Sequence, residues 1–421
     1  MVYTMKINQL IFNALVVMFM VTHRTSAQSE ALTSSPYSLY GLGVINQTSI
    51  GKFNSLGYSG IGVKSPYALN NLNPSNYALI PQNSFLYDIG VTGEFNNYSN
   101  SSSSEEKTNV NFSNLAFGFR VAENLGAGIT LVPYSDVGYS ILGVSTNIEG
   151  STETFESSIN GLGGLNDIRF NLGYSLIPKL RIGLSASFLF GNIEETESFV
   201  YNTTAFESTE KTNYSGARLG FGLQWDVAEN ITIGSTVQLP TSLNGQLKRS
   251  VVKTLYGTEI TVEDENTDNV SDFKLPLELG FGMSIKPIEQ ITLSADYKKN
   301  FWTDTEQTEN IGSYADQDIY AIGLEYIKDP KSYKNGQRIS YRLGYNYDNG
   351  YLTISDNKVE GYNLTAGIGI PTSRGTNSMI NLSYSYGSKG LLRNVLVKEN
   401  YHLLTLNLSL EDLWFVKRKI N

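Results

Sequence analysis

The chain has 421 residues, a formal net charge of −9, no Cys and two His. Without Cys it can form neither disulfides nor thiolate metal sites. Its acidic balance excludes the basic patch that nucleic acid or an anionic membrane surface would require.

From the N-terminus, Lys6, the apolar run Leu10 to Val21 and the small residues Thr25, Ser26 and Ala27 follow the pattern of a secretory signal. Residues 1–27 are therefore expected to be lost after Sec-type export, with cleavage near Ala27. The net charge then moves from −9 to −11, because Lys6 and Arg24 leave and no acid does. His23 leaves too, and His402 alone cannot build a His-based metal site or an acid/base pair. No Cys follows Ala27, so no lipid anchor is expected.

Residues 28–83 are rich in Gly, Tyr, Ser and Asn and do not alternate. Within them "NPSNYALIP" suits a short helix, with Asn73 as N-cap, Pro74 in the first turn and Pro81 as the stop.

From residue 84 to the end, apolar and small polar residues take turns. In "RIGLSASFLFG", Ile182, Leu184, Ala186, Phe188 and Phe190 point one way, and Gly183, Ser185, Ser187 and Gly191 the other. About fourteen such strands are expected, at 84–98, 109–121, 125–147, 152–176, 180–200, 212–227, 230–254, 268–285, 290–302, 315–327, 338–348, 361–371, 378–387 and 401–410. Short connections alternate with long ones such as "TLYGTEITVEDENTDN" and the acidic stretch after Phe190. The pattern predicts an all-β fold, a transmembrane antiparallel β-barrel of about 14 strands over residues 84–421, in the outer membrane of a Gram-negative cell. Lipid offers no hydrogen-bond partner, so the ring must close. Trp414, Phe415 and the many Tyr near strand ends suit the wet-dry boundary of the bilayer. A secreted β-sandwich is the competing fold, and the asymmetry of the loops disfavours it.

A ring of this size is too wide for its own side chains to fill. Residues 28–83 are therefore expected to be a plug inside the lumen, with glycines at 41, 43, 51, 57, 60 and 62 permitting tight bends. Strand phase points Asp88, Arg120, Arg169, Arg218, Glu278, Asp296, Lys298 and Arg342 inward. A luminal arginine can grip a ligand carboxylate through two parallel hydrogen bonds. It can equally pair with Glu278, Asp296 or a plug carbonyl, and a buried charge favours such pairing.

The stretch "VEDENTDN", Val262 to Asn269, lacks the ligand spacing and glycine of a calcium loop. "GLGGLND", Gly161 to Asp167, leads no strand into a helix, so it is not a phosphate loop. No nucleophile, base and orienting group fall together. Neither a cofactor, a metal nor an enzymatic activity is expected.

The stretch "SLGYSGIGVKSPYALNNLNPSNYALI" resembles the amino-terminal hatch of the FadL family of outer-membrane transporters of hydrophobic compounds. Gly57, Gly60 and Gly62 match the family's Gly-rich segment. Asn73, Pro74 and Ser75 match its Asn-Pro-Ala motif, with Ser in place of Ala. "SPYSLYGLG" and "EDLWFVKRKI" are similar to members from the Bacteroidota phylum. The resemblance implies fourteen strands and an inward kink in the third, open sideways to lipid. Pro133 in "LVPYSDVGY" removes a ladder donor at that place, so Pro133, Tyr134 and Ser135, within Val132 to Gly138, are candidates for a lateral opening; a simple bulge in a long strand explains the proline equally well. Asn73, Pro74, Ser75, Arg120, Arg169, Arg218 and Arg342 are the candidates for contacts at the plug and lumen.

The first functional expectation is a FadL-like barrel that binds or passes a small hydrophobic or amphipathic molecule, with outer-membrane lipid around it. The alternative is a non-transporting accessory or structural subunit, partnered by other outer-membrane proteins, in the barrel assembly or type IX secretion machinery. No nucleic-acid partner is expected.

Overall fold

The computed structural model describes residues 32–100, 104–147, 154–201, 203–308, 312–372, 376–392 and 396–413. The expected signal, Trp414 and Phe415 lie outside the described residues.

Alternation forms the wall. Its strands are β1 (Ser84–Ser99), β2 (Ser104–Ala122), β3 (Leu125–Asn147), β4 (Thr154–Ile177), β5 (Leu180–Tyr201) and β6 (Thr204–Ala228). Next come β7 (Ile231–Gln238, resumed as Thr241–Leu255) and β8 (Thr258–Leu275, resumed as Glu278–Ile288). The last six are β9 (Ile291–Asn300), β10 (Gln317–Ile327), β11 (Ser340–Asp348), β12 (Gly361–Pro371), β13 (Met379–Lys389) and β14 (Lys398–Leu413). Each strand pairs antiparallel with the next, and β1 pairs with β14 from Ser84–Leu413 to Ser99–Lys398, which closes a fourteen-strand barrel. Pro240 and Pro276 break β7 and β8, because proline cannot donate to the ladder.

The outward face is apolar and exposed, as Phe170 and Leu172 on β4, Ile182, Leu184 and Phe188 on β5, and Ile322 and Leu324 on β10 show. An outward band of this kind needs acyl chains as its solvent. No helix among the described residues is long and apolar enough to cross a membrane. Tyr297, Tyr320, Tyr347 and Tyr362 are register partners in succession across β9 to β12. They form one arc of an aromatic girdle.

Two expectations about loops need correction. "TLYGTEITVEDENTDN" is not a long loop: β7 and β8 continue as a ladder up to the turn at Tyr256–Gly257. The same holds for the stretch after Phe190, where β5 pairs with β6 as far as Tyr201–Thr204. Burial on β5 alternates up to Phe190 and then becomes uniform. With water on both faces, sequence alternation has nothing to record, so these ladders read as loops.

The N-terminal segment occupies the lumen. It contains three 3-10 turns, Pro36–Leu39, Gly51–Ser55 and Pro74–Leu79, and a two-residue strand, Val44–Ile45. Asn73 caps the last turn by accepting a hydrogen bond from the Ser75 amide at 3.1 Å. The opposite end of the lumen is covered by a small sheet of Ser313–Tyr314, Leu352–Ile354 and Asn357–Lys358. Leu352, Ile354, Val359 and Leu396 pack there around Tyr37.

Candidate functional site

Glycines on the inner wall set how close the plug can come. A Cβ added at Gly126, Gly173, Gly183, Gly222, Gly234 or Gly344 would lie within 3 Å of plug atoms. Real Cβ atoms do not approach so closely, so the plug chain fills the space that side chains would take. Gly57, with φ +62°, lets the plug turn against Tyr345.

Hydrogen bonds then fix the plug around the ring. Asp296 on β9 accepts from the amides of Gly60 at 2.6 Å and Ile61 at 2.9 Å. Asn73 donates to the carbonyls of Ile61 at 2.9 Å and Leu223 at 3.0 Å. The hydroxyls of Ser59 and Ser294 meet at 2.6 Å, and the Gly57 amide donates to Thr365 at 2.9 Å. Lys52 of the plug pairs with Glu325 at 3.0 Å, and Lys64 with Asp226 at 3.3 Å. Burial pushes the hydroxyls of Tyr58 and Tyr77 above the ordinary tyrosine value, so both stay neutral.

The four candidate arginines all have protein partners. Arg120 donates to the plug carbonyls of Ala78 at 2.7 Å and Ile80 at 2.8 Å. Arg169 pairs with Asp167 at 2.7 Å and reaches the Asn71 carbonyl at 3.4 Å. Arg218 donates to the carbonyls of Leu239 at 2.8 Å and Pro276 at 2.6 Å, so it clamps the two strand breaks together. Arg342 donates to Glu325 at 2.8 Å and to Asn381 at 2.7 Å. None of the four lines the main luminal cavity. Asn73, Pro74 and Ser75 lie on the plug floor, against β5 and β6 at Gly183 and Gly222.

Two features escaped the sequence reading. Arg181, fully buried, pairs with Asp226 through two hydrogen bonds of 3.0 and 2.7 Å. It shares its phase with Gly183, which was the available signal. Leu165, Leu189, Leu243, Phe273, Leu275, Trp302 and Tyr314 form an apolar cluster inside the lumen around Leu42. In "FLFG" every residue but the last is apolar, so phase alone did not single out Leu189.

The pairing of β2 with β3 stops just before Pro133, while β3 itself runs on. β2 and β3 pair from Ala122–Leu125 up to Leu115–Leu131. Beyond that level the described ladder gives Ser104–Asn114 only β1 as a partner. The register of β3 on β4 slips between Pro133 and Ser135, and the plug strand pairs there instead, Val44 with Asp136 and Ile45 with Ser135. Asn166 and Leu165 of β4 lie opposite the slip, and Gly163, at φ +116°, pairs with Val137 just beyond it.

Behind this interval lies a cavity of about 260 Å³, reached by Asn111, Ser113, Val132 and Pro133 from the wall and by Thr48, Ser49 and Tyr58 from the plug. Tyr134 packs against the apolar cluster. Among the described residues, no three potential metal ligands come together.

The architecture matches solved outer-membrane proteins. The Ralstonia pickettii toluene transporter TbuX superimposes with a TM-score of 0.61 at 16% identity, covering 86% of this chain and 98% of that one. A Pseudomonas aeruginosa FadL homologue gives 0.59 at 10% identity, with 86% and 98% covered. The Pseudomonas putida toluene transporter TodX gives 0.58 at 15%, with 92% and 100% covered. These likenesses establish a FadL-like outer-membrane fold. A comparison with curated protein sequences gives no match. The BamG family profile matches residues 7–421, nearly the whole chain, and the chain belongs to the BamG family.

Proposed function

We propose that this chain works as a sealed structural subunit of a larger outer-membrane assembly. The filled lumen carries the reading. Wall glycines leave the plug no clearance, the luminal arginines are engaged with protein groups, and the apolar luminal residues pack on one another. A channel for a greasy solute would need an apolar slot.

The external sheet supports a partner. β5 has 22 residues and β11 has 9. At ~3.3 Å per residue and a tilt of ~40°, the difference of 13 raises one side roughly 30 Å higher. That sheet exposes Leu142, Val200, Tyr256 and Val262. A single sheet wet on both faces gains little by itself. Between the two machines considered, membership of the BamG family favours barrel assembly over type IX secretion. Export by a signal cleaved near Ala27 belongs to this reading. No bond is made or broken.

A second reading retains exchange of a small hydrophobic or amphipathic molecule with the outer leaflet. The interval beside Pro133, Tyr134 and Ser135, where β2 and β3 no longer pair, favours it, with Asn73, Pro74 and Ser75 as the floor.

Purification from native membranes followed by mass spectrometry separates the two. The subunit reading expects stoichiometric co-purification with other outer-membrane proteins. A protein recovered alone and loaded with lipid overturns it.

A further inference from the structure

The luminal cavity has an uneven charge. Glu94, Asp136, Asp348 and Glu399 line it, and Lys389 is the one cation among its lining residues. None of the four carboxylates has an ion-pair partner within 4 Å among the described residues. Their hydrogen bonds come from uncharged donors. Asn96 donates to Glu94 at 2.8 Å and Asn46 to Asp136 at 2.7 Å. Gln317 and Gln47 donate to Asp348 at 2.8 and 3.2 Å, and Ser35 donates to Glu399. Lys389 stands over the Tyr37 ring at 5.7 Å.

Three other luminal carboxylates are matched by bases, Asp167 by Arg169, Asp226 by Arg181 and Lys64, and Glu325 by Arg342 and Lys52, while Asp88 and Asp296 each stand singly on neutral donors. The same chain leaves four acids in one enclosed space without matching bases. Like charges in a desolvated site are costly, and an incoming cation relieves that cost.

A second observation falls at the same place. Ser383, 3% exposed, lines this cavity, and its Oγ has no hydrogen-bond partner among the described residues. A buried hydroxyl without a partner is unusual, and a ligand donor or acceptor would satisfy it. The cavity also reaches the interval between β2 and β3, where Val132 and Pro133 offer apolar surface.

We propose that this vestibule binds an amphipathic amine, its ammonium among Glu94, Asp136, Asp348 and Glu399 and its short apolar chain toward the interval beside Pro133. This goes beyond the subunit reading and does not depend on it, since a sealed subunit can hold a ligand above its plug.

Calorimetry on the full-length exported protein in a non-ionic detergent tests it, with hexylammonium as the probe and hexanol and hexanoate as controls. Hexylammonium is expected to bind saturably at one site, while hexanol and hexanoate do not. Losing one charged partner of the ammonium by Asp136→Asn or Glu94→Gln should weaken binding about tenfold or more. Lys389→Gln removes the competing cation and should tighten binding. It also keeps the proposal testable if the carboxylate variants fail to fold, which heat-dependent gel mobility reports. The proposal is overturned if hexylammonium does not bind, if hexanol binds equally well, or if the folded variants bind unchanged. Stoichiometric partners in the native purification, with no amine binding, would sink this proposal and leave the subunit reading intact.

Discussion

At Gly344 a methyl group would fall within 3 Å of the Gly57 amide nitrogen and the Leu56 carbonyl carbon. Both neighbours are backbone, so neither can rotate away. Gly344→Val should therefore displace the plug while leaving the outward face of β11 untouched. Overpacking of this kind costs ~1–3 kcal/mol. In planar bilayers the wild type is expected to be silent and the variant to conduct. A silent Gly344→Val protein with unchanged thermal stability would show that the plug is not held as described. Alternation along "YRLGYNYD" makes Gly344 legible as an inward residue, but the Gly57 amide it faces is set by ring closure and by the path of a segment with no periodicity. The arginines have the same history. Phase turned Arg169 and Arg342 inward, and Asp167, two residues before Arg169 on the same strand, shares its face, whereas Glu325, opposite Arg342 on β10 at 2.8 Å, depends on a register that no spacing reveals.

Among elements, the plug is the one whose mobility matters. Ser59 and Ser294 face each other at 2.6 Å between their hydroxyls. The chain has no Cys, so a paired Ser59→Cys and Ser294→Cys substitution introduces one defined crosslink. A disulfide requires a short approach of the two Cβ atoms, and this pair of side chains already meets tip to tip. The crosslink is expected to form on export, seen as a gel shift reversed by reductant, with folding and partner recovery unchanged. Loss of function on oxidation and its return on reduction would mean that the plug moves. The strands were legible wherever one face meets lipid and the other the lumen, as in "YNLTAGIGI" of β12. They became illegible beyond Phe190 on β5 and around Glu263 on β8, where water wets both faces and sequence phase carries no energy.

For the molecule as a whole, one side of the barrel stands far taller than the other. The tall side is held by charge pairs across strands, Lys211 with Glu194 at 3.1 Å and Arg249 with Glu210 at 2.6 Å. Rings of Phe155, Phe199 and Phe206 stack near its rim, with centroids 4.4 and 5.0 Å apart. Exposed pairs contribute little each, ~0–1 kcal/mol, so the extension adds little to the stability of the barrel. The ladder within the membrane, the glycine-seated plug and the Arg218 clamp lie below it and do not depend on it. Shortening the β5–β6 hairpin by removing residues 196–209, with a two-residue turn in their place, should therefore leave a folded, heat-modifiable barrel. If the tall face is where a partner docks, the shortened protein reaches the outer membrane in normal amount but no longer brings its partners through purification. Glu195 and Glu210 are register partners, so the new turn joins strands that already lie side by side. Recovery of the same partners in the same ratio would place the contact elsewhere on the barrel, whereas loss of the folded form would show that the extension is part of the core.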